Sequence, residues 1–367
     1  MGRYILAIIL SFFPLISFAK GAETAIQLKI LEKKISGETI LTDRIVQIAN
    51  NHQIIAFLGR HNLWVQTLKK QKIQKIEEYI NFSPPQDVWY DALYLDDQYF
   101  IISISTYTEA RRKADSSQSL GDYKEGPKRY GIIFIDLVQK KVDIFEEFKV
   151  SNYDQYIKRR NPFYKAVFTS AYRDGNFLYM GSYGQLTKLD LLKKEIEIIF
   201  EDELACSRES LFKEDEYLFY CANEGGLSGA WIEILNLKNL KTRTFCPLDE
   251  PYIDPDSIIK YKGKYYCSTL AGLLEITKDG NTLVHYQIGK DTKKMAVYDA
   301  KVINNQIWAL RSDGLVKYNL ETKSAIIYKF HDKNISNDIY SLHGISDVIY
   351  IGTADKLIKA ESSQFKE

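Results

Sequence analysis

A cassette recurs about seven times along the chain: a strand, a tight polar turn, a strand with an aromatic core, then a glycine-containing turn into a third strand. The clearest copies are Asn304-Asn305-Gln306-Ile307-Trp308-Ala309 running to Gly314-Leu315-Val316-Lys317-Tyr318, and Ser346-Asp347-Val348-Ile349-Tyr350-Ile351-Gly352-Thr353. The turns between first and second strands fall near His52, Asp97, Gly175, Asp215, Gly263, Asn305 and Asp347, at successive spacings of 45, 78, 40, 48, 42 and 42 residues. A period of about 40–50 residues built from short strands is the rhythm of a β-propeller, in which each unit is a four-stranded meander. The expected fold is all-β, a seven-bladed β-propeller of four-stranded antiparallel blades in a single domain over 20–367. The 26 Tyr and 18 Phe suit such pleated, half-buried surfaces.

Blade 6 parses most cleanly, with strands over Tyr298–Ile303, Gln306–Leu310, Leu315–Asn319 and Ala325–Phe330. Its Asn304-Asn305 turn tolerates the positive φ that a tight hairpin requires. Blade 7 has only three strands before the C-terminus. The alternating segment Ala25–Leu31, within a closing strand over 23–34, is therefore expected to supply the fourth and close the ring, which removes a pair of open strand edges.

The N-terminus carries the pattern of an export signal. Met1-Gly2-Arg3 gives one positive charge, Tyr4–Phe18 is an almost unbroken apolar run, and Ser17-Phe18-Ala19 offers small residues for cleavage. The expectation is a signal peptide over 1–19 and a periplasmic or secreted product with no later membrane span. In an oxidising compartment the even set Cys206, Cys221, Cys246 and Cys267 is read as disulfides, first as Cys206–Cys221 and Cys246–Cys267. No Cys-x-x-Cys pair is present, so zinc is not expected. With 49 basic against 48 acidic residues the chain lacks the excess charge of a general nucleic-acid binder.

In a four-stranded meander the loops that enter the inner strand and those that join the second and third strands share one end, here termed the upper face. The long segments Tyr79–Trp89, Thr106–Tyr130, Lys149–Phe163, Ala222–Ala230 and Pro247–Asp256 all fall there, and loops of that length are functional or disordered. The 106–130 insertion in blade 2 holds Arg111 and Arg112, and the next loop holds Arg159 and Arg160. Such a basic rim suits carboxylate or phosphate. Trp89 and Tyr156 are read as loop aromatics available to a ligand, and His61 as an upper-turn residue facing the central channel. Trp64, Trp231, Trp308 and Tyr350 lie within strands and are assigned to packing between blades.

No His-x-His, His-Glu-x-x-His or Gly-x-Ser-x-Gly pattern occurs, and the Asp249/Glu250/Asp254/Asp256 cluster lacks EF-hand spacing. No metal or cofactor is expected. The leading reading is a non-catalytic exported monomer that binds a partner protein, glycan or anionic ligand on its upper face. Two alternatives remain: a lyase or hydrolase acting on an exported polymer through residues such as His61, Asp91 and Arg208, or an envelope assembly factor.

The phrasing Ile307-Trp308 to Gly314-Leu315-Val316-Lys317-Tyr318, with Ile349-Tyr350-Ile351-Gly352-Thr353, resembles the repeats of periplasmic sensor propellers in bacterial two-component systems. Tyr266-Cys267-Ser268-Thr269-Leu270-Ala271-Gly272-Leu273-Leu274 is a weaker copy. Blades 1, 2 and 4 depart from the pattern. The resemblance implies an extracellular ligand- or partner-binding platform. Sensor proteins continue into a membrane helix and a signalling domain, whereas this sequence stops at Glu367, so a stand-alone platform is expected.

Overall fold

Every predicted first turn is a turn in the computed structural model, and the strands between them stand as seven meanders around a ring. The structure describes residues 24–35, 37–59, 61–70, 72–84, 88–106, 129–145, 168–182, 185–201, 207–223, 230–245, 258–269, 272–277, 282–288, 297–311, 314–330 and 339–365. The signal-peptide region, Cys206, Cys246 and the long upper-face loops of blades 2 to 5 lie outside these residues.

Three N-terminal strands come first: β1 (Thr24–Gln27), β2 (Lys29–Ile35) and β3 (Glu38–Leu41). Blade 1 is β4 (Ile45–Asn50), β5 (Ile54–Gly59), β6 (Leu63–Thr67) and β7 (Ile73–Lys75). A short helix, α1 (Ile76–Ile80), then fills part of the segment expected to be a loop, capped by Asn81 at φ 57°. Blade 2 is β8 (Val88–Leu95), β9 (Tyr99–Thr106), β10 (Arg129–Asp136) and β11 (Lys141–Phe145). Blade 3 is β12 (Ser170–Asp174), β13 (Phe177–Ser182), β14 (Gln185–Asp190) and β15 (Glu195–Glu201). Blade 4 is β16 (Ser207–Glu214), β17 (Tyr217–Asn223), β18 (Ala230–Asn236) and β19 (Lys241–Phe245). Blade 5 is β20 (Ile258–Tyr261), β21 (Lys264–Thr269), β22 (Gly272–Ile276) and β23 (Thr282–Gln287). Blade 6 is β24 (Val297–Ile303), β25 (Gln306–Arg311), β26 (Gly314–Asn319) and β27 (Ser324–Phe330). Blade 7 is β28 (Ile339–Ile345), β29 (Val348–Thr353) and β30 (Leu357–Glu361), completed by β3.

That completion corrects the predicted closure. The outer strand of blade 7 is β3, antiparallel to β30, and not the segment Ala25–Leu31. The reason is connectivity. β3 leads into the inner strand of blade 1 after only three residues, and it exposes Glu38 and Thr39 while its half-buried Ile40 and Leu41 pack at the junction of blades 7 and 1. The earlier segment instead adds a fifth strand to each of two other blades: β1 runs parallel to β23 of blade 5, and β2 parallel to β27 of blade 6.

The apolar core is distributed between the blades. Buried side chains form a cluster at each of the seven junctions. Phe57 and Tyr350 meet at the junction of blades 7 and 1, and Trp308, Tyr328 and Phe365 at that of blades 6 and 7. Burying each such ring contributes roughly 1.5–3 kcal/mol. Trp308 and Tyr350 pack between blades as expected; Trp64 is half-buried there and donates its indole N–H to Asp43 at 2.8 Å. The Gly-Leu step that opens β22 and β26 is also a packing feature. A Cβ on Gly272 or Gly314 would sit 2.1 or 2.0 Å from the carbonyl oxygen of Tyr286 or Tyr328, and both glycines have φ near +150° (146° and 154°). Only glycine fits there.

One of the two expected cysteine pairs is not formed. Cys267 keeps a free thiol, fully buried among Phe219, Ile232, Tyr265 and Leu274, and burial pushes its pKa up. It packs as a small apolar side chain, so the Cys246–Cys267 bridge is absent. In the ladder of blade 4, Glu209 is the residue opposite Cys221. Cys206 lies outside the described residues, and so does the Cys206–Cys221 pairing.

A second, polar circuit runs around the lower end, where the first turns lie. Asn51 Nδ2 donates to the Asp96 carbonyl (2.8 Å), Arg173 to Asp96 Oδ2 (2.8 Å), and Lys213 Nζ lies 2.6 Å from Asp174. Lys260 Nζ lies 2.7 Å from Glu214, Tyr261 Oη donates to the Asn305 carbonyl (3.1 Å), and Asn304 Nδ2 to the Ser346 carbonyl (2.5 Å). His343 Nε2 and Asn50 Oδ1, 2.5 Å apart, close the circle between blades 7 and 1. Neighbouring blades are thus joined by side chains at or close to the first turns. Burial works against the Asp96 carboxylate, yet Arg173 and the N–H groups of Tyr99 and Gln98 hold its pKa below the usual range.

Candidate binding surface

The inner strands do not run evenly to the upper face. Five of them carry a register irregularity in their first part: between Ile45 and Gln47, Tyr90 and Ala92, Glu209 and Phe212, Val297 and Asp299, and Ile339 and Ser341. A bulge inserts a residue without a ladder partner and turns it out of the pleat, which is why bulges gather at barrel rims and functional sites. Asp91 and Tyr340 occupy such positions.

Around blades 7, 1 and 2 these positions assemble a rim of aromatic and charged groups. The Arg44 guanidinium lies 4.7 Å from the centroid of the Tyr340 ring, joining the start of blade 1 to the bulge of blade 7. Its Nε is buried and has no acceptor among the described residues. Beside it, the Asp43 carboxylate accepts from Asn62 Nδ2 at 3.1 Å and from Trp64 at 2.8 Å, which fixes the turn between the second and third strands of blade 1. The next residue in that turn, His61, is exposed and meets Trp89 edge-to-face, with centroids 4.9 Å apart and planes at 87°. Below it, Tyr90 donates to Glu77 Oε1 at 2.7 Å and ties α1 to blade 2. Burial, with the Glu77 contact second, pushes the Tyr90 pKa up.

Of the residues singled out from the sequence, His61 and Trp89 are brought together. Trp89 is not a loop residue: it is the second residue of β8, opposite Ser105, and only 8% exposed. The hydrophobic alternation of the inner strand begins earlier than the loop reading allowed, and the indole is covered by His61. Asp91 is the bulged residue of β8, and Arg208 is in β16. Arg111, Arg112, Tyr156, Arg159 and Arg160 lie outside the described residues, as does the Asp249–Asp256 cluster. Among the described residues, no group of three or more His, Cys, Asp or Glu side chains is arranged to hold a metal ion.

Arg44, Asp43 and Tyr340 were not identified from the sequence. Tyr340 stands at the same place in its repeat as Tyr298, since Val297-Tyr298-Asp299 and Ile339-Tyr340-Ser341 share the same irregularity. Aligning the inner strands to each other, rather than the turns, would have exposed that position. Chemically the rim offers a cation held over one ring, a carboxylate held by an amide and an indole, and an imidazole stacked edge-on against a second indole. That combination suits a ligand with both an anionic group and an apolar face.

No family model matches the chain, and no curated protein matches it in sequence. Several solved structures share its fold. Virginiamycin B lyase from Staphylococcus aureus is 10% identical with a TM-score of 0.59, over 87% of this chain and 94% of that one. The extracellular domain of a candidate hybrid two-component system from B. thetaiotaomicron is 11% identical, TM-score 0.58, over 88% of this chain and 39% of that one. PorZ, a surface component of the type-IX secretion system of Porphyromonas gingivalis, is 13% identical, TM-score 0.57, over 87% of this chain and 46% of that one. This chain therefore spans less than half the length of the latter two. At such identities the likeness is one of fold, and proteins of unlike activity share it. No helix among the described residues is long and apolar enough to cross a membrane.

Proposed function

We propose that this propeller is an exported, non-catalytic binding module that captures an anionic ligand at the upper rim of blades 7, 1 and 2. The observation that carries the reading is the pairing of Arg44 with Tyr340 beside that of His61 with Trp89. A guanidinium over a ring keeps its charge while its donors remain free to bond carboxylate or phosphate in bidentate fashion. The apolar run followed by Ser17-Phe18-Ala19 supports export. So does the extracellular or surface setting in the descriptions of two structures that share the fold. The basic residues Arg111, Arg112, Arg159 and Arg160, which the sequence reading sets on the same face, would extend the rim.

The test is capture of acidic glycans and acidic peptides on an array by the purified protein and by the double variant Arg44→Ala/His61→Ala. His61 is exposed and Arg44 only half-buried, so the variant should keep its melting temperature within a few degrees. Its capture should fall by about tenfold or more, as expected for loss of one charge-assisted contact. Equal capture by both proteins would remove the rim from consideration.

A further inference from the structure

The segment from Thr24 to Ile35 is not needed to close the ring, because β3 already completes blade 7. It forms a belt. β1 pairs in parallel with β23 from Thr24↔Val284 to Gln27↔Gln287, and β2 with β27 from Lys29↔Ser324 to Ile35↔Phe330. The crossing from blade 5 to blade 6 is made at one residue. Leu28 donates its N–H to the Gln287 carbonyl, and the next N–H, of Lys29, goes to the Lys323 carbonyl, each at 3.0 Å.

The belt is attached mainly through its backbone. Among its described side chains only Leu28 is buried, at 4%, in the cluster between blades 5 and 6 that also contains Tyr286, Ile288, Tyr318 and Ala325. Ile30 and Leu31 are 38% and 53% exposed. Beside β2 an open groove of about 370 Å³ is lined by Ile30, Leu31, Lys317, Asn319, Ser324 and Ile326. A segment with few buried apolar contacts and an exposed ladder belongs to the low-stability end of a fold, where local opening precedes global unfolding.

We propose that the outer edges of blades 5 and 6 form a strand-accepting groove, and that residues 24–35 are its resident, displaceable occupant. The partner class is set by the occupant seated there: an extended segment that pairs in parallel with β23, places one leucine-sized side chain in the Leu28 socket, and continues parallel to β27. Main-chain bonds supply affinity and the socket supplies specificity, as in other strand-addition interfaces. This surface is separate from the upper rim, and neither reading depends on the other.

The full chain with a protease recognition sequence inserted after Ser36 provides the test. After cleavage, a fluorescent peptide of residues 23–36 is titrated in and followed by anisotropy, with the same peptide carrying Leu28→Asp as control. The expected result is saturable incorporation of the first peptide and about tenfold or weaker binding of the second. In the uncut protein, amide exchange in β1 and β2 should be faster than in β3 and the inner strands, and faster still in Leu28→Asp. Three results would overturn the proposal: unfolding of the ring on cleavage, equal binding of the two peptides, or a belt as protected as the blade cores with no peptide incorporated.

Discussion

Residue by residue, the first turns show how one position serves both backbone geometry and assembly. Asn304 and Asn305 both adopt left-handed conformations, with φ of 49° and 56°, as the hairpin requires and as the Asn-Asn pair foretold. Their side chains have unequal duties. Asn304 Nδ2 donates to the Ser346 carbonyl of the next blade, whereas no such inter-blade bond is made by the Asn305 side chain among the described contacts. The two asparagines should therefore respond differently to the same change. Asn305→Gly should leave stability within about 0.5 kcal/mol, because glycine adopts this φ freely. Asn304→Gly keeps the geometry but loses the bond to blade 7, and should cost about 1 kcal/mol. Urea midpoints of the two variants measure the difference, and equal midpoints would deny the inter-blade bond any part in stability. The turn was legible in the sequence because it is local. Its reach to Ser346 was not, since nothing in one repeat states how its neighbour is oriented.

At the level of the element, the turns between third and fourth strands follow a rule the first-turn rhythm concealed. Asp136, Asp190, Asn236 and Asn319 each end a third strand and accept backbone N–H groups from the turn. Asp136 Oδ1 takes those of Val138 and Gln139 at 2.9 and 2.8 Å, and Asn319 Oδ1 that of Thr322 at 3.0 Å. A leucine follows each of them, and a left-handed residue closes the turn at Lys140, Lys194, Leu240 and Lys323. Because Asn fills the same place in blades 4 and 6, the oxygen matters and the charge does not. Asp136→Asn should thus be nearly neutral, while Asp136→Ala should lose about 1–2 kcal/mol by stranding two N–H groups. Thermal melts of both variants decide it; equal losses would mean that charge is the operative property. The strands themselves were readable because every blade repeats them at one period. The belt was misassigned because β1 and β2 are parallel additions outside the repeat, and alternation marks a strand without naming its partner. Trp89 was misplaced for a related reason: an inner strand that starts with a bulge hides its own beginning. The rim of Arg44, Tyr340, His61 and Trp89 is drawn from three blades, so no linear motif could announce it.

For the molecule as a whole, stability depends on seven junctions in series, and the junction joining the two ends of the chain carries a titratable group. Burial, with the nearby Lys301 charge second, pushes the His343 pKa down to about 4 from its ordinary 6.5. The amide oxygen of Asn50 can only accept, so the neutral ring carries its proton on Nε2 to make the 2.5 Å contact. His285, in the outer strand of blade 5 beneath β1, is likewise pushed down to about 4 by burial. The sign follows from proton counting. Between pH 6.5 and 4 the unfolded chain binds protons at these two sites that the folded chain does not, so stability falls as pH falls through that window. It is fully present above it and levels off below, with each histidine accounting for on the order of 2–3 kcal/mol. The depressed carboxyl of Asp96 has the same sign but acts below its ordinary value of 3.8. Burial raises the pKa of Asp299, which therefore acts above 3.8 with the opposite sign, so comparison of variants within one pH range is what isolates the histidines. Urea midpoints at pH 7.5 and pH 5 should differ clearly in the native protein, by less in His343→Gln, and least in His285→Leu/His343→Gln. An unchanged pH slope in the double variant would show that the sensitivity lies elsewhere. A loss confined to His343→Gln would place it at the 7–1 junction, where the polar circuit closes.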